Sequence, residues 1–350
     1  MRTAAAPPAY EKLSRGTLMS PFRYIAGFLI WLAIQLGMLV TWPMSHRGLR
    51  GFSRIGGWVM FMVPFIRNLC IKNIHAAFPE MPPEKVRETA RKSVDNIALS
   101  MCEFMWIRRH PDQFDKIIDK SPCLENVAKA IDHVKNGSGT ILITPHMGNW
   151  EFSGQILASF GQSIGIVVKS VRMPFLDKLV NTSRKSGNVT IIYSKGAAMA
   201  MKKAIDDRMI VGILIDQNTK VRDGGVFVDF LGLKVPVSRA PAVLARAKNL
   251  YVAVGSTVRD TPDTVKAYLR ELPKQTSEYE SDEEMIQDIT DLTVEYIRMA
   301  PEQYCWLYKR FQHIPPDTPE EIRKRYPDYA KVPGPSFYSR SKAKQGKHQS

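Results

Sequence analysis

His146 and Glu151, five residues apart in His146-Met-Gly-Asn-Trp-Glu151, are the two side chains of this sequence best suited to moving a proton. A neutral imidazole accepts a proton near neutral pH, and a carboxylate on its other nitrogen fixes the tautomer and raises the basicity. In an uninterrupted helix an offset of five residues would turn the two side chains to roughly opposite faces, since each residue rotates by about 100°. They meet only if the chain turns between them, and Gly148-Asn149 offers that turn. Asn149 is also a residue type that caps helices, which would set Glu151 in a first helical turn. The same residues equally suit a histidine that only satisfies the end of a strand.

The elements around this pair decide what it can do. Thr140-Ile-Leu-Ile-Thr144, bounded by Gly139 and Pro145, reads as a short buried parallel strand. His146 then lies at the carboxyl end of a strand, the edge at which open α/β sheets bind ligands. Upstream, apolar residues at helical spacing predict helices over 82–109 and 124–134. Downstream the pattern alternates, with strands expected over 164–168, 190–193, 210–215 and 251–258. Helices are expected over 152–160, 174–185, 197–206, 240–247 and 283–299. Such alternation predicts an α/β fold, with a mostly parallel central sheet flanked by helices. Two other motifs fail on context. Gly161-Gln-Ser163-Ile-Gly165 has the spacing of a serine nucleophile elbow but follows a helix and precedes a strand, the reverse of what that chemistry needs. Gly137-Ser-Gly139 precedes its strand and has no third glycine, which excludes a dinucleotide or P-loop site.

The charge is unbalanced, with 49 Lys+Arg against 34 Asp+Glu and a net +15 over 350 residues. That surplus suits an anionic partner, whether nucleic acid, lipid headgroups or an acidic carrier protein. Cys70, Cys102, Cys123 and Cys305 are scattered and form no Cys-x-x-Cys, so neither a disulfide framework nor a zinc site is expected, and the usage fits a reducing compartment. Residues 24–42 carry no charge and a single amide, with Tyr24 and Trp42 at the ends. About 20 such residues span a bilayer, so a transmembrane or membrane-anchoring helix is expected there, and a second apolar stretch over 58–66 suits the interface. The sequence therefore divides into a basic segment 1–23, a membrane helix 24–42, a catalytic domain 43–314 and a basic, disordered tail 315–350.

At this point the sequence resembles the bacterial lipid A biosynthesis (late, lauroyl/myristoyl) acyltransferases of the lysophospholipid acyltransferase-like superfamily, and the related mannolipid acyltransferases. His-x-x-x-x-Glu/Asp after a strand is their motif. Four further stretches are similar in order: Asn73-Ile-His-Ala-Ala-Phe-Pro79-Glu80, Asp216-Gln217-Asn218, Val228-Asp-Phe-Leu-Gly232, and Pro301-Glu-Gln-Tyr-Cys-Trp-Leu-Tyr-Lys-Arg310. The resemblance covers residues 20–312. It departs where the family often has Arg-Pro-x-x-Asn-Pro and this chain has Lys169-Ser-Val-Arg172-Met-Pro174, and where Tyr304 replaces a tryptophan.

The resemblance implies transfer of a fatty acyl group from a thioester, on acyl carrier protein or CoA, to a hydroxyl of a lipid A-type glycolipid, with no other cofactor and no metal. His146 would be the general base and Glu151 its orienting partner. Asn149, Lys169, Arg172, Arg184, Asp216 and Gln217 would bind substrate. Arg184, or backbone N–H groups around Gly148, would stabilise the oxyanion, although Arg184 also suits a phosphate or plain solubility. Asp216 would position the acceptor or Arg184, or simply cap a strand. The enzyme would sit on the inner membrane with its catalytic domain in the cytoplasm, partnered by its acyl donor and an anionic lipid or glycolipid rather than nucleic acid. Two other readings stay open: acylation of a different lipid, such as a mannolipid or lysophospholipid, and a non-enzymatic scaffold on anionic membranes.

Overall fold

The computed structural model describes residues 21–171, 173–184, 188–194 and 197–339. Helices lead the chain into its sheet: α1 (Pro21–Thr41), α2 (His46–Met62), α3 (Pro64–Ala77) and α4 (Pro83–Trp106). Ser45 caps α2 by accepting the Gly48 N–H at 3.3 Å. Pro64 cannot continue a helix, because it has no N–H and its ring meets the preceding turn. It therefore starts α3 at 88° to α2. The expected helix over 82–109 is α4.

α5 (Phe114–Ile117) and β1 (Ile118–Asp119) follow, then α6 (Leu124–Lys135), β2 (Thr140–Ile143), α7 (Phe152–Ser159), β3 (Ile164–Val168), α8 (Pro174–Arg184), β4 (Val189–Tyr193), α9 (Ala197–Asp206) and β5 (Ile210–Ile213). A hairpin of β6 (Gly225–Phe230) and β7 (Leu233–Ser238) stands apart from the main sheet, and its turn is the Leu231-Gly232 pair of the resemblance. α10 (Ala240–Lys248), β8 (Tyr251–Thr261), β9 (Thr264–Glu271), α11 (Asp282–Met299) and α12 (Glu320–Arg323) complete the described chain. The main sheet runs β1-β9-β8-β2-β5-β3-β4, parallel throughout except between β8 and β9. The expected mostly parallel α/β fold is thus present.

β2 lies at the centre and every one of its residues is buried. Ile141 and Ile143 face a core shared with Val252 and Val254 of β8 and Ile286 and Ile289 of α11. Leu142 faces the opposite core with Val127 and Ala130 of α6 and Phe152 and Ile156 of α7. Burial on both faces explains why β2 reads as an unbroken apolar run instead of an alternating one.

At the chain ends, the helix expected over 24–42 is α1, and the expected tail differs. Among the described residues no single helix is long and apolar enough to cross a membrane; the apolar part of α1, Gly27–Thr41, is too short. α1 packs on α8, where Tyr24, Phe28 and Trp31 surround Phe175 at ring distances of 5.1, 5.6 and 6.1 Å. Its outer face leaves Ile25, Leu29, Leu36 and Leu39 exposed. At the other end, the chain beyond Pro315 packs on the body, in contrast to the expected tail. The Tyr326 hydroxyl donates to the Lys234 carbonyl at 2.9 Å, Lys72 pairs with Asp328 at 2.6 Å, and Phe337 is buried. Residues 340–350 lie outside the described residues.

Candidate active site

β2 and β5 are parallel neighbours in which Ile143 pairs with Ile213. His146 and Asp216 each lie three residues beyond that pair, so the register of the sheet brings them side by side at its carboxyl edge. Asp216 holds the histidine twice. Its Oδ1 lies 2.7 Å from Nδ1, and its Oδ2 accepts the His146 backbone N–H at 2.8 Å. An ionised carboxylate only accepts, so Nδ1 carries the proton and the neutral ring keeps its lone pair on Nε2. The side chain is 24% exposed, and Trp150 meets the ring edge-on at 5.4 Å. Burial alone would lower the basicity of His146, but the Asp216 charge and hydrogen bond, with the Glu151 charge behind them, raise its pKa above the ordinary value against the opposing pull of Arg184. Burial likewise works against the charged form of Asp216, yet His146 and then Arg310 hold its pKa below the usual carboxylate range.

The expected bond from Glu151 to the histidine is made by Asp216 instead. The Glu151 carboxylate is gripped in bidentate fashion by Arg184 of α8, Nε to Oε2 at 2.9 Å and Nη2 to Oε1 at 2.6 Å. The chain does turn between His146 and Glu151, but the turn carries Glu151 to α8 and leaves Nδ1 to Asp216. The pair remains close enough for both charges to act on the imidazole. Two of the five guanidinium N–H groups of Arg184 are used on Glu151, leaving others for a ligand.

The turn itself is held from three sides. Gly148 takes φ +58°, and its N–H donates to the Gln303 carbonyl at 3.0 Å, which removes it as an oxyanion donor. Its carbonyl accepts Ser100 Oγ at 2.8 Å and Asn96 Nδ2 at 3.0 Å, both from α4. The Cys305 N–H donates to the His146 carbonyl at 2.9 Å. Ser93, Asn96, Ser100 and Glu103 form a polar stripe at spacings of three and four residues on one face of α4. Asn149 is buried and does not cap α7, and its amide donates to Glu103 at 3.0 Å. Glu103, also buried, is paired with His46 at 2.7 Å and Arg259 at 2.6 Å.

A Cβ on Gly148 would come within 1.7 Å of the Thr257 carbonyl oxygen, a backbone atom that cannot swing away. Gly148→Ala is therefore expected to lower the thermal unfolding midpoint well beyond the roughly 1–2 kcal/mol of left-handed strain. Gly161→Ala, at φ +77° with open space around it, should show that strain alone. Equal midpoints for the two variants would contradict the close approach.

Of the remaining expected ligands, Lys169 is exposed at the end of β3 and Gln217 is half-buried beside Asp216; among the described residues neither is bonded to His146. Arg172 lies outside the described residues. Sequence reasoning passed over Glu103 and Arg310. Arg310 is buried, its Nη1 donates to Asn218 Oδ1 at 3.1 Å, and its guanidinium lies 5.0 Å from the centre of the Phe230 ring. Its place at the end of the Pro301–Arg310 stretch is the signal that could have found it.

The sequence model of bacterial lipid A biosynthesis acyltransferases matches residues 19–313. The chain belongs to this family. Among characterised relatives, the lipid A biosynthesis lauroyltransferase of Escherichia coli (strain K12) is 23% identical over 306 residues, covering 85% of this chain and 92% of the relative. In this acyltransferase the stretches that carried the resemblance divide by task. Residues 146–151 and 216–218 form the candidate site, whereas Asn73 and residues 301–310 pack around it. Asn73 Nδ2 donates to the carbonyls of Trp306 and Tyr308 at 2.7 and 2.8 Å. Gln303 clamps β8 through Arg259, accepting its N–H at 2.7 Å and donating to its carbonyl at 2.8 Å. As a member of this family the enzyme transfers an acyl group to a lipid A-type precursor.

Proposed function

We propose that His146 is the general base of this transfer, oriented by Asp216, and that the donor is a fatty acyl thioester of acyl carrier protein or CoA. The paired ends of β2 and β5, which join His146 to Asp216, are the observation that carries this reading. Nε2 takes the proton of the acceptor hydroxyl as its oxygen attacks the thioester carbonyl carbon. The tetrahedral oxyanion collapses, the C–S bond breaks, and the imidazolium returns its proton to the departing thiolate. Arg184, fixed by Glu151, supplies a positive charge for the oxyanion, and a fixed donor of this kind is worth roughly 10²–10³ in rate. The exposed apolar faces of α1 and of the α2–α3 elbow support attachment to the inner membrane on its cytoplasmic side, where the acceptor lies.

The test is an assay of the purified chain with acyl-carrier-protein or CoA thioesters and a lipid A-type precursor, read by mass spectrometry. The expected result is one added acyl chain per precursor with stoichiometric release of thiol. Acylation only of a mannolipid or lysophospholipid would move the acceptor class, and no thioester consumption with any acceptor would leave a scaffold.

A further inference from the structure

A cleft of about 480 Å³ opens between α2, α3 and α4, some distance from His146 along α4. Trp58, Phe61 and Met62 of α2 line it together with Arg67 of α3 and Arg87 and Arg91 of α4. Arg87 and Arg91 lie 6.0 and 5.9 Å from the centre of the Phe61 ring. Among the described residues Arg67 and Arg87 are paired with no carboxylate, while Arg91 reaches Asp95 at 3.1 Å. Two acidic residues also line the cleft, against three arginines. Glu88 is held by Lys92 at 2.6 Å and Lys85 at 3.0 Å, and Glu84 sits in the first turn of α4, where the helix dipole favours a negative charge. The cleft therefore keeps a net positive charge above an aromatic floor.

Its rim is the bend between α2 and α3. There Met62, Val63 and Phe65 stand out of the protein, Phe65 with 67% of its surface exposed, and Trp58 is half exposed beside them. An apolar wedge with a tryptophan at its base and arginines just behind it matches the depth profile of a bilayer leaflet, from acyl region through interface to phosphate. Guanidinium groups match phosphate oxygens through paired N–H donors.

We propose that this cleft binds the phosphate of an anionic phospholipid headgroup while the α2–α3 elbow enters the acyl region. The inference rests on the membrane-surface reading above but makes a separate claim, a lipid site of defined charge outside the catalytic centre. It is tested by co-flotation of the full chain with vesicles of phosphatidylcholine alone or with added phosphatidylglycerol. The wild-type chain should partition about 10- to 30-fold more strongly onto the phosphatidylglycerol vesicles, as two basic groups at the surface allow. Arg67→Ala/Arg87→Ala should lose that preference and keep its partition onto phosphatidylcholine. Lys202→Ala/Lys203→Ala, a change of equal charge on α9 outside the cleft, should keep the preference.

Equal binding of the wild-type chain to both vesicles, or an equal loss in the lysine pair, would overturn the site and leave membrane attachment standing. Failure to float with either vesicle would overturn both. Inorganic phosphate at matched ionic strength should not displace the chain; selective displacement by it would assign the cleft to free phosphate instead.

Discussion

His146→Ala is expected to lower kcat for acyl transfer by about 10²–10⁴-fold, the usual worth of a positioned general base. The variant also disturbs the fold, since Asp216 is buried and the His146 ring N–H is one of its hydrogen-bond donors. A buried carboxylate left short of a donor costs about 1–3 kcal/mol or more, so the alanine variant should unfold at a lower temperature as well. His146→Asn separates the two effects. Its amide can still donate to Asp216 but carries no basic nitrogen, so it should recover much of the stability and none of the rate. Thiol release from an acyl thioester, measured beside the thermal midpoint, reads both. Activity in His146→Asn within about tenfold of wild type would remove the histidine from the proton transfer.

The histidine was legible because its evidence is local: an apolar run, a proline, and a turn within one short stretch of chain. Its true partner was not, because Asp216 is 70 residues away and reaches it only through the adjacency of β2 and β5. β2, β3 and β5 are all short apolar runs with nothing in their residues to state which lies beside which. Glu151 is the carboxylate that the turn and the family motif offer, but its bidentate bond to Arg184 leaves Nδ1 to Asp216. β9 escaped notice for a related reason: its residues alternate between buried and half-exposed, and it pairs antiparallel with β8, so it lacks the continuous apolar signature of the inner strands. The helical spacing placed α4, although Met101 of its apolar series is exposed; its polar stripe of Ser93, Asn96, Ser100 and Glu103 has meaning only once the carbonyls it meets, from Gly148 and Tyr304, are in place.

Asp216→Asn and Glu151→Gln distinguish the two candidate partners. The asparagine amide can turn its N–H₂ toward Nδ1 and favour the wrong tautomer, an effect worth about 10⁴ in kcat where a serine-protease aspartate is so replaced. A fall of about 10³–10⁴ is expected here. The sign of the pH effect follows from the same bond. Catalysis needs neutral His146, so the rate rises as pH passes the His146 pKa, which Asp216 holds above the ordinary value of about 6.5. Without that carboxylate the residual activity should persist to lower pH, with the acid limb of the profile displaced downward. Glu151→Gln leaves the Asp216 bond intact and removes only a more distant negative charge, so its limb should move the same way but less. Its loss in kcat, about 10²–10³, should come instead from an Arg184 no longer held in place. Profiles of kcat against pH for the two variants decide the matter. A larger displacement in Glu151→Gln than in Asp216→Asn would return the orienting role to Glu151 and reduce Asp216 to a strand-end contact.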